Sequence, residues 1–471
     1  MNVKALAIHL GAGLRAGVLF QYAPQGATVI NRFEADPVFR AMARPPVLSS
    51  AFLAATPAEQ PALWSQITAA PFNGRHSAAH GWLLPSFFQN LLPEGVFRDH
   101  VAELRGCDPD DHFEMLAACG RDLPGNVYAL PVELSRDELA HYVTQDQDAL
   151  EMTVTADPLE DGVSLSGVQP KLGVIRQGER YVGRTKDQDT WIIAKLPVVG
   201  QPLLPEVEDL SLRLAAAAGV SVCEAYLEPL EKLALQHGYD LGDADAKTHF
   251  LAVVRYDRSP QGRIHAEDFA QILGVMPEEK YGGGPADRQT YLSVAAVLLD
   301  APSMGESAVH ELLRRLLVNE LLGNPDMHLK NIGLRYPDGV TPEFPPAYDI
   351  VAYGAFNKNQ GHALHILPPE LSPKPAPREP GRPAPKQQLS PAVVRAFCSA
   401  LGIPEKPATT AIAQCAKAAF DSWPALIEQS LLTPLAKARL MEQFNGHAMI
   451  ESLVRRRGRV LARPIDDRGL A

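Results

Sequence analysis

The run Gly323-Asn324-Pro325-Asp326-Met327-His328-Leu329-Lys330-Asn331 carries an aspartate and an asparagine five positions apart, and Tyr348-Asp349-Ile350 follows. An aspartate in such a loop can take the proton of an attacking hydroxyl. Asn331 and Asp349 offer hard oxygen ligands of the kind magnesium prefers. This is the set that phosphoryl transfer needs, because its demands are positioning and charge neutralisation around the transferred group. Lys330 lies between the two residues and can screen phosphate charge. The spacing alone is weakly specific, since Asp and Asn are common in loops. His328 reads more simply as a loop histidine bonded to backbone than as a base.

Those residues need elements to hold them. In Thr190-Trp191-Ile192-Ile193-Ala194-Lys195-Leu196-Pro197, period-2 alternation puts Lys195 on the strand face of Trp191 and Ile193. A lysine on a half-buried face is costly unless it is paired. Glu208, thirteen residues later, sits in the first turn of a helix over Pro205–Ala218 that opens on Pro205 and is closed by Gly219. A strand lysine held by a helix glutamate grips ATP phosphates in kinases, although an acidic first turn is also favoured by the helix dipole. Upstream, the segment Gly162 to Gly173 contains Ser164, Ser166, Gly167, Gln169 and Lys171. Its backbone N–H groups and hydroxyls can cradle phosphate, but a hairpin turn explains the glycines equally well. Leu251 to Arg258 reads as a strand leading out of this lobe, with Tyr256 placed to pack on an adenine ring. The order of these elements (loop, strand Lys, helix Glu, linking strand, Asp-x4-Asn, Asp) is that of a two-lobed kinase.

The length of 471 residues accommodates two to four structural units. With 46% apolar and 21% charged residues the composition is that of a globular protein. A net charge of −11 argues against a chain that binds nucleic acid alone. No apolar run is long enough for a membrane span. Five scattered cysteines, with no CxxC or Cys/His cluster, indicate neither a disulfide framework nor zinc, and the expected location is the cytoplasm. The organisation expected is an N-terminal α/β subdomain over 1–130, a kinase N-lobe with its phosphate loop over 150–256, and a helical C-lobe over 257–471. Within the C-lobe, residues 368–391 hold nine prolines and read as a solvated loop or linker. Arg455-Arg456-Arg457-Gly458-Arg459 reads as a solvated helix end, or as an acidic-partner or nucleic-acid contact.

Taken together, several segments resemble the HipA-type serine/threonine kinases, toxins of bacterial type II toxin–antitoxin pairs. They are Ser164 to Leu172, Ile193 to Pro197, Arg255-Tyr256-Asp257-Arg258, Arg263 to Asp268, Lys280-Tyr281-Gly282-Gly283-Gly284, Gly323 to Asn331 and Tyr348-Asp349. Asn90-Leu91-Leu92-Pro93-Glu94-Gly95 and Gly120-Arg121-Asp122-Leu123-Pro124-Gly125 extend the match into the N-terminal part, so that it covers about residues 10–445. The resemblance implies an α+β, two-lobed protein-kinase-like fold with an extra N-terminal subdomain and a mostly helical C-lobe. It implies Asp326 as catalytic base, Asn331 and Asp349 as magnesium ligands, and Lys195 as the phosphate-binding lysine. Ser164, Ser166, Gly167, Gln169, Lys171, Glu208, Tyr256, His328 and Lys330 complete the expected ATP site. Ser164, with Ser166 as the alternative, is the implied autophosphorylation site, where a phosphate would place negative charge against the phosphates of ATP. The implied substrate is an aminoacyl-tRNA synthetase, the glutamate enzyme favoured, and the implied partner a small DNA-binding HipB-like antitoxin that supplies the DNA affinity. Ala352, where many members have a small polar residue, and the Pro-rich stretch are departures that leave target choice open. A kinase of the same fold with a small-molecule substrate, and a non-catalytic antitoxin-binding co-repressor, are the competing readings.

Overall fold

The computed structural model describes the chain apart from residues 1, 12, 24–28, 143–150, 160–168, 185–187, 202, 236–238, 243, 246, 283–288, 357–360, 374–386 and 462–471. Ser164, Ser166, Gly167, Gly283 and Gly284 therefore lie outside the described residues. The chain divides into two compact units. One comprises Met1–Pro205, Glu224–Gly284 and Leu329–Pro345; the other Glu206–Cys223, Pro285–His328 and Pro346–Ala471.

In the first unit, apolar alternation near the N-terminus folds as an antiparallel hairpin of β1 (Asn2–Leu10) and β2 (Leu14–Tyr22). With β3 (Ile30–Ala35) and β4 (Val127–Pro131) it makes a sheet of order β3-β2-β1-β4. Alternation sends Leu6, Ile8 and Leu10 to one face, packed among Phe87, Phe88 and Leu116. Val3 and Ala5 go to the other, with Phe20, Tyr22, Leu134 and Leu139. Both faces are covered, so a one-residue register slip would exchange two cores. Helices α1 (Gly95–Arg105) and α2 (His112–Cys119) belong to the same subdomain.

A second antiparallel sheet is built from β5 (Lys171–Gln177), β6 (Arg180–Val182), β7 (Ile192–Lys195), β8 (Ala225–Pro229) and β9 (His249–Val254), in the order β8-β9-β7-β5-β6. Val174, Ile192, Ala194, Phe250 and Ala252 form its core. A two-stranded ladder, β10 (His265–Asp268) with β11 (Gly333–Tyr336), closes the unit. Asp268 then caps the short helix Phe269–Ile272 through a capping box with Gln271.

One buried ionic network joins the N-terminal subdomain to the second sheet. Asp122, fully buried, accepts from Thr190 Oγ1 at 2.6 Å, Arg258 Nη2 at 2.9 Å and Arg255 Nη1 at 3.2 Å. Arg255 is bidentate on Asp257, at 3.0 and 2.9 Å, and Asp257 accepts the Gly125 N–H at 2.7 Å. Gly125 must be glycine: its φ is +70°, and a Cβ would lie 2.7 Å from the Ala266 nitrogen. This network explains why the chain does not divide at the expected 256/257 boundary. Arg258 and Arg263 engage Asp122, and β10 pairs with β11, so residues 257–284 and 329–345 belong to the first unit.

The second unit is helical: α3 (Leu204–Ala217, whose first two residues fall in the first unit), α4 (Tyr291–Asp300), α5 (Gly305–Leu322), α6 (Pro391–Leu401), α7 (Glu405–Glu428), α8 (Pro434–Asn445) and α9 (Ala448–Leu461). α5 buries Leu312, Leu313, Leu316, Leu317 and Leu321 completely. Trp423 of α7 donates to the Leu214 carbonyl at 2.8 Å and fixes α3. Glu320 of α5 gathers His362 (2.7 Å), His447 (2.9 Å) and the Leu389 N–H (2.7 Å). Burial pushes its carboxyl up, but the two histidines more than offset that and bring it to about 2. Of the Pro-rich stretch, the described ends meet: Gln387 accepts from Leu367 N–H at 2.8 Å and donates to the Leu367 carbonyl at 3.3 Å. Arg455, Arg456 and Arg457 are exposed on α9. The five cysteines are free thiols. Among the described residues, no helix is long and apolar enough to cross a membrane.

Asp122→Asn leaves buried guanidiniums without their common counter-charge, a defect of about 3–5 kcal/mol readable from urea unfolding at pH 7. Burial alone would raise the Asp122 carboxyl, but Arg255, Arg263 and Arg258 hold it below the usual carboxylate range. A group depressed in this way contributes stability above its unfolded pKa, about 4, and loses it as pH falls towards the folded value. The gap between wild type and variant is therefore expected to be full at pH 7 and to narrow below pH 4.

Candidate functional site

The aspartate run begins where α5 ends. Gly323 adopts φ +65° at the C-cap, a left-handed turn that glycine makes without strain. Asn324, almost fully buried, then folds the backbone back: its Oδ1 accepts the Asp326 N–H at 3.1 Å and its Nδ2 donates to Asn319 Oδ1 at 2.5 Å. Tyr291 of α4 donates its hydroxyl to the Met327 carbonyl at 2.8 Å. The outcome is selective exposure: the Asp326 side chain is 38% exposed while that of His328 is 5% exposed. His328 Nε2 stands 3.9 Å from Asp326 Oδ1, and its backbone N–H donates to the Asp326 carbonyl. Asp349, also in this unit, has φ +57°, the one positive φ outside glycine among the described residues. Glu208 lies on α3, completely buried.

The first unit holds the other set. Lys195 ends β7, and the ladder places it directly opposite Lys171, the first residue of β5. Directly opposed residues point to one face with Cβ atoms about 5 Å apart, and like charges there repel. Both lysines are only 5% exposed. Both side chains leave the sheet on one face. Gln169 secures the start of β5 by donating to the Leu196 carbonyl at 3.2 Å. Tyr256 lies in the turn after β9, half-buried. Leu329–Asn331 forms one 3-10 turn between the Asp326 run and β11.

Lys330 is placed differently from a residue that reaches into solvent for phosphate. Its side chain is fully buried, paired with Glu94 at 3.0 Å and donating to the Asn90 carbonyl at 2.9 Å. In the Arg255–Arg258 segment, Arg255, Asp257 and Arg258 are buried in the Asp122 network. Asp122, Glu94, Asn319, Asn324 and Tyr291 were not among the residues the sequence singled out for a site. For Asn324 a signal exists, because an Asn two residues before a turn residue suits an Asx turn.

Among the described residues, no group of three or more His, Cys, Asp or Glu side chains forms a metal cage. Asn331 and Asp349, the magnesium ligands that the resemblance implies, fall in different compact units, and each carries a hard oxygen donor. They fit magnesium, which takes one or two protein oxygens and completes its shell with water and substrate phosphate.

Comparison with known proteins gives these residues a family. Residues 9–130 match the HipA N-terminal domain and residues 163–423 the HipA-like C-terminal domain. The chain is 36% identical over 277 residues to the putative kinase Y4dM and 31% identical over 312 residues to the putative kinase Y4mE, both of Sinorhizobium fredii. These alignments take in 58% and 62% of this chain, and 63% and 67% of the relatives' own length. Among solved structures, HipA in a complex of HipA, HipB and operator DNA from Shewanella oneidensis superposes with a TM-score of 0.63 at 20% identity, covering 96% of this chain and 99% of that one. That likeness establishes the fold, and the two domain matches, which together take in most of the residues, establish the lineage: the chain belongs to the HipA family.

Proposed function

We propose that this protein is an ATP- and magnesium-dependent protein serine/threonine kinase and the toxin of a toxin–antitoxin pair. The observation that carries the reading is the apposition of Lys171 and Lys195, two buried cations on one strand face. Lysines at this place in the lobe suit the phosphates of ATP. A reaction at the γ-phosphate then needs a base, and Asp326 is the carboxylate presented to solvent from an otherwise buried loop. Asp326 accepts the proton of the substrate hydroxyl as its oxygen bonds to phosphorus; the bond to the β-phosphate oxygen breaks, and ADP leaves. Lys171 and Lys195 offset the negative charge carried by the phosphates. Asn331 and Asp349 would hold magnesium, which neutralises charge on the transferring group when bound.

The relatives named putative kinases support the phosphotransferase reading, and the HipA–HipB–DNA neighbour supports a small HipB-like antitoxin as partner. A net charge of −11 fits DNA contact made through that partner. Within this reading the protein substrate is an aminoacyl-tRNA synthetase, the glutamate enzyme first, and Ser164 or Ser166 is the self-modified residue.

Incubation with Mg-ATP followed by intact mass measurement is expected to add one phosphoryl group to the wild-type chain, mapped to Ser164 or Ser166. Asp326→Asn is expected to slow that gain by about 10²- to 10⁴-fold, the usual contribution of a general base. Equal incorporation by both proteins would remove Asp326 from the chemistry. Lys171→Met is expected to weaken calorimetric binding of a non-hydrolysable ATP analogue by about ten-fold or more, as the loss of a charged hydrogen bond implies. Unaltered binding would remove the lysine pair from the nucleotide site.

A further inference from the structure

Asn331 is held by a residue more than two hundred positions away in sequence. The turn Leu329–Asn331 lies against β10 and the short helix Phe269–Ile272, and backbone bonds on either side of Asn331 fix its position. On one side, the Leu329 N–H donates to the Lys280 carbonyl at 3.1 Å. On the other, the Phe269 N–H donates to the Ile332 carbonyl at 2.9 Å, and Gly333 enters the ladder opposite Asp268. Lys330, immediately before Asn331, buries its whole side chain in the 90–94 segment. The Glu94 carboxylate is the hub there, with one oxygen 3.0 Å from Lys330 Nζ and the other 2.9 Å from Lys280 Nζ. One acid thus pins both the turn and the segment that receives the turn's first N–H. Burial would raise the Glu94 carboxyl, but Lys330 and Lys280 drive it far below the usual range, so the group stays charged.

We propose that Glu94, carried by the N-terminal subdomain, is a positioning residue that sets Asn331 for metal binding through Lys330 and Lys280. This rests on the kinase reading above and assigns Lys330 to the clamp. A lysine whose charge is opposed by a buried carboxylate and whose proton is shared with a carbonyl is committed to holding backbone. The Asn-Leu-Leu-Pro-Glu-Gly and Asp-x3-Lys-Asn segments are, on this account, two halves of one device. Glu94 touches neither substrate nor metal; it acts by fixing the direction in which the Asn331 amide is presented, as outer-shell groups do for metal ligands.

The test is metal affinity, measured by electron paramagnetic resonance of Mn2+ added to the full chain with a non-hydrolysable ATP analogue. Glu94→Gln, of equal size but uncharged, is expected to raise the half-saturating Mn2+ concentration by about ten-fold, the lower end for outer-shell changes. Phosphoryl transfer by this variant should fall at limiting Mg2+ and recover at saturating Mg2+, which general destabilisation would not produce. Asn331→Ala should show the same metal defect, and the double variant should be no worse than Asn331→Ala, since both changes act on one ligand. If Glu94→Gln does not fold, Glu94→Asp keeps the charge with a shorter reach and should move Mn2+ affinity in the same direction, by less. Unchanged Mn2+ affinity, or defects that add in the double variant, would overturn the proposal while leaving the kinase reading intact. A wild-type chain that transfers no phosphate under any metal would sink the kinase reading instead.

Discussion

A fully buried carboxylate, Asp122, sets the terms on which the first unit is assembled. Three arginines and a threonine hydroxyl converge on it from residues 190–263. Burying so many charges is favourable only when each finds its partner, so the arrangement contributes more to uniqueness than to net stability. A small rotation of the N-terminal subdomain would strand guanidinium groups in a dry environment. The sheet bearing Lys171 and Lys195 and the subdomain bearing Glu94 are consequently held as parts of one body. The two devices aimed at the proposed ligand, the lysine pair and the Glu94 clamp, both presuppose that rigidity.

Charge is distributed within the molecule in a way its composition conceals. The chain is acidic overall, which disfavours indiscriminate binding of polyanions. Several cations are nonetheless buried or nearly so. Some are neutralised at once, as Lys330 and Lys280 are by Glu94. Lys171 and Lys195 face each other across a ladder.

Much of this was legible in advance, and the limits were physical. The start and stop of α3 are local signals, and that helix formed within one residue of expectation. Period-2 alternation placed Lys195 on the strand face of Trp191 and Ile193, but Trp191 is exposed and Lys195 buried, so the burial did not follow from that pattern. The opposition of Lys195 to Lys171 could not follow, because register is decided by pairing between strands far apart in sequence. The burial of Arg255, Asp257 and Arg258 was not legible for a related reason: the arginines' partner Asp122 lies more than a hundred positions away in the chain. Lys330 beside a candidate catalytic loop suggested phosphate, and Glu94, distant in the chain, was the missing partner. The loop carrying Ser164 and Ser166 lies outside the described residues, so its role rests on resemblance.

The pinned ends of the Pro-rich stretch bear on how this protein can change. Leu367 and Gln387 bond each other through both backbone groups of Leu367, and Leu389 is fastened to Glu320 in the helical core. Whatever lies between them is an excursion that leaves and re-enters at one point. Closing such an excursion costs only about 0.6 kcal/mol more for each doubling of its length. Insertions and composition drift are therefore nearly free at this point of the fold. A lineage could exchange the whole segment, and any recognition it carries, while the residues that hold Asp326 stay as they are.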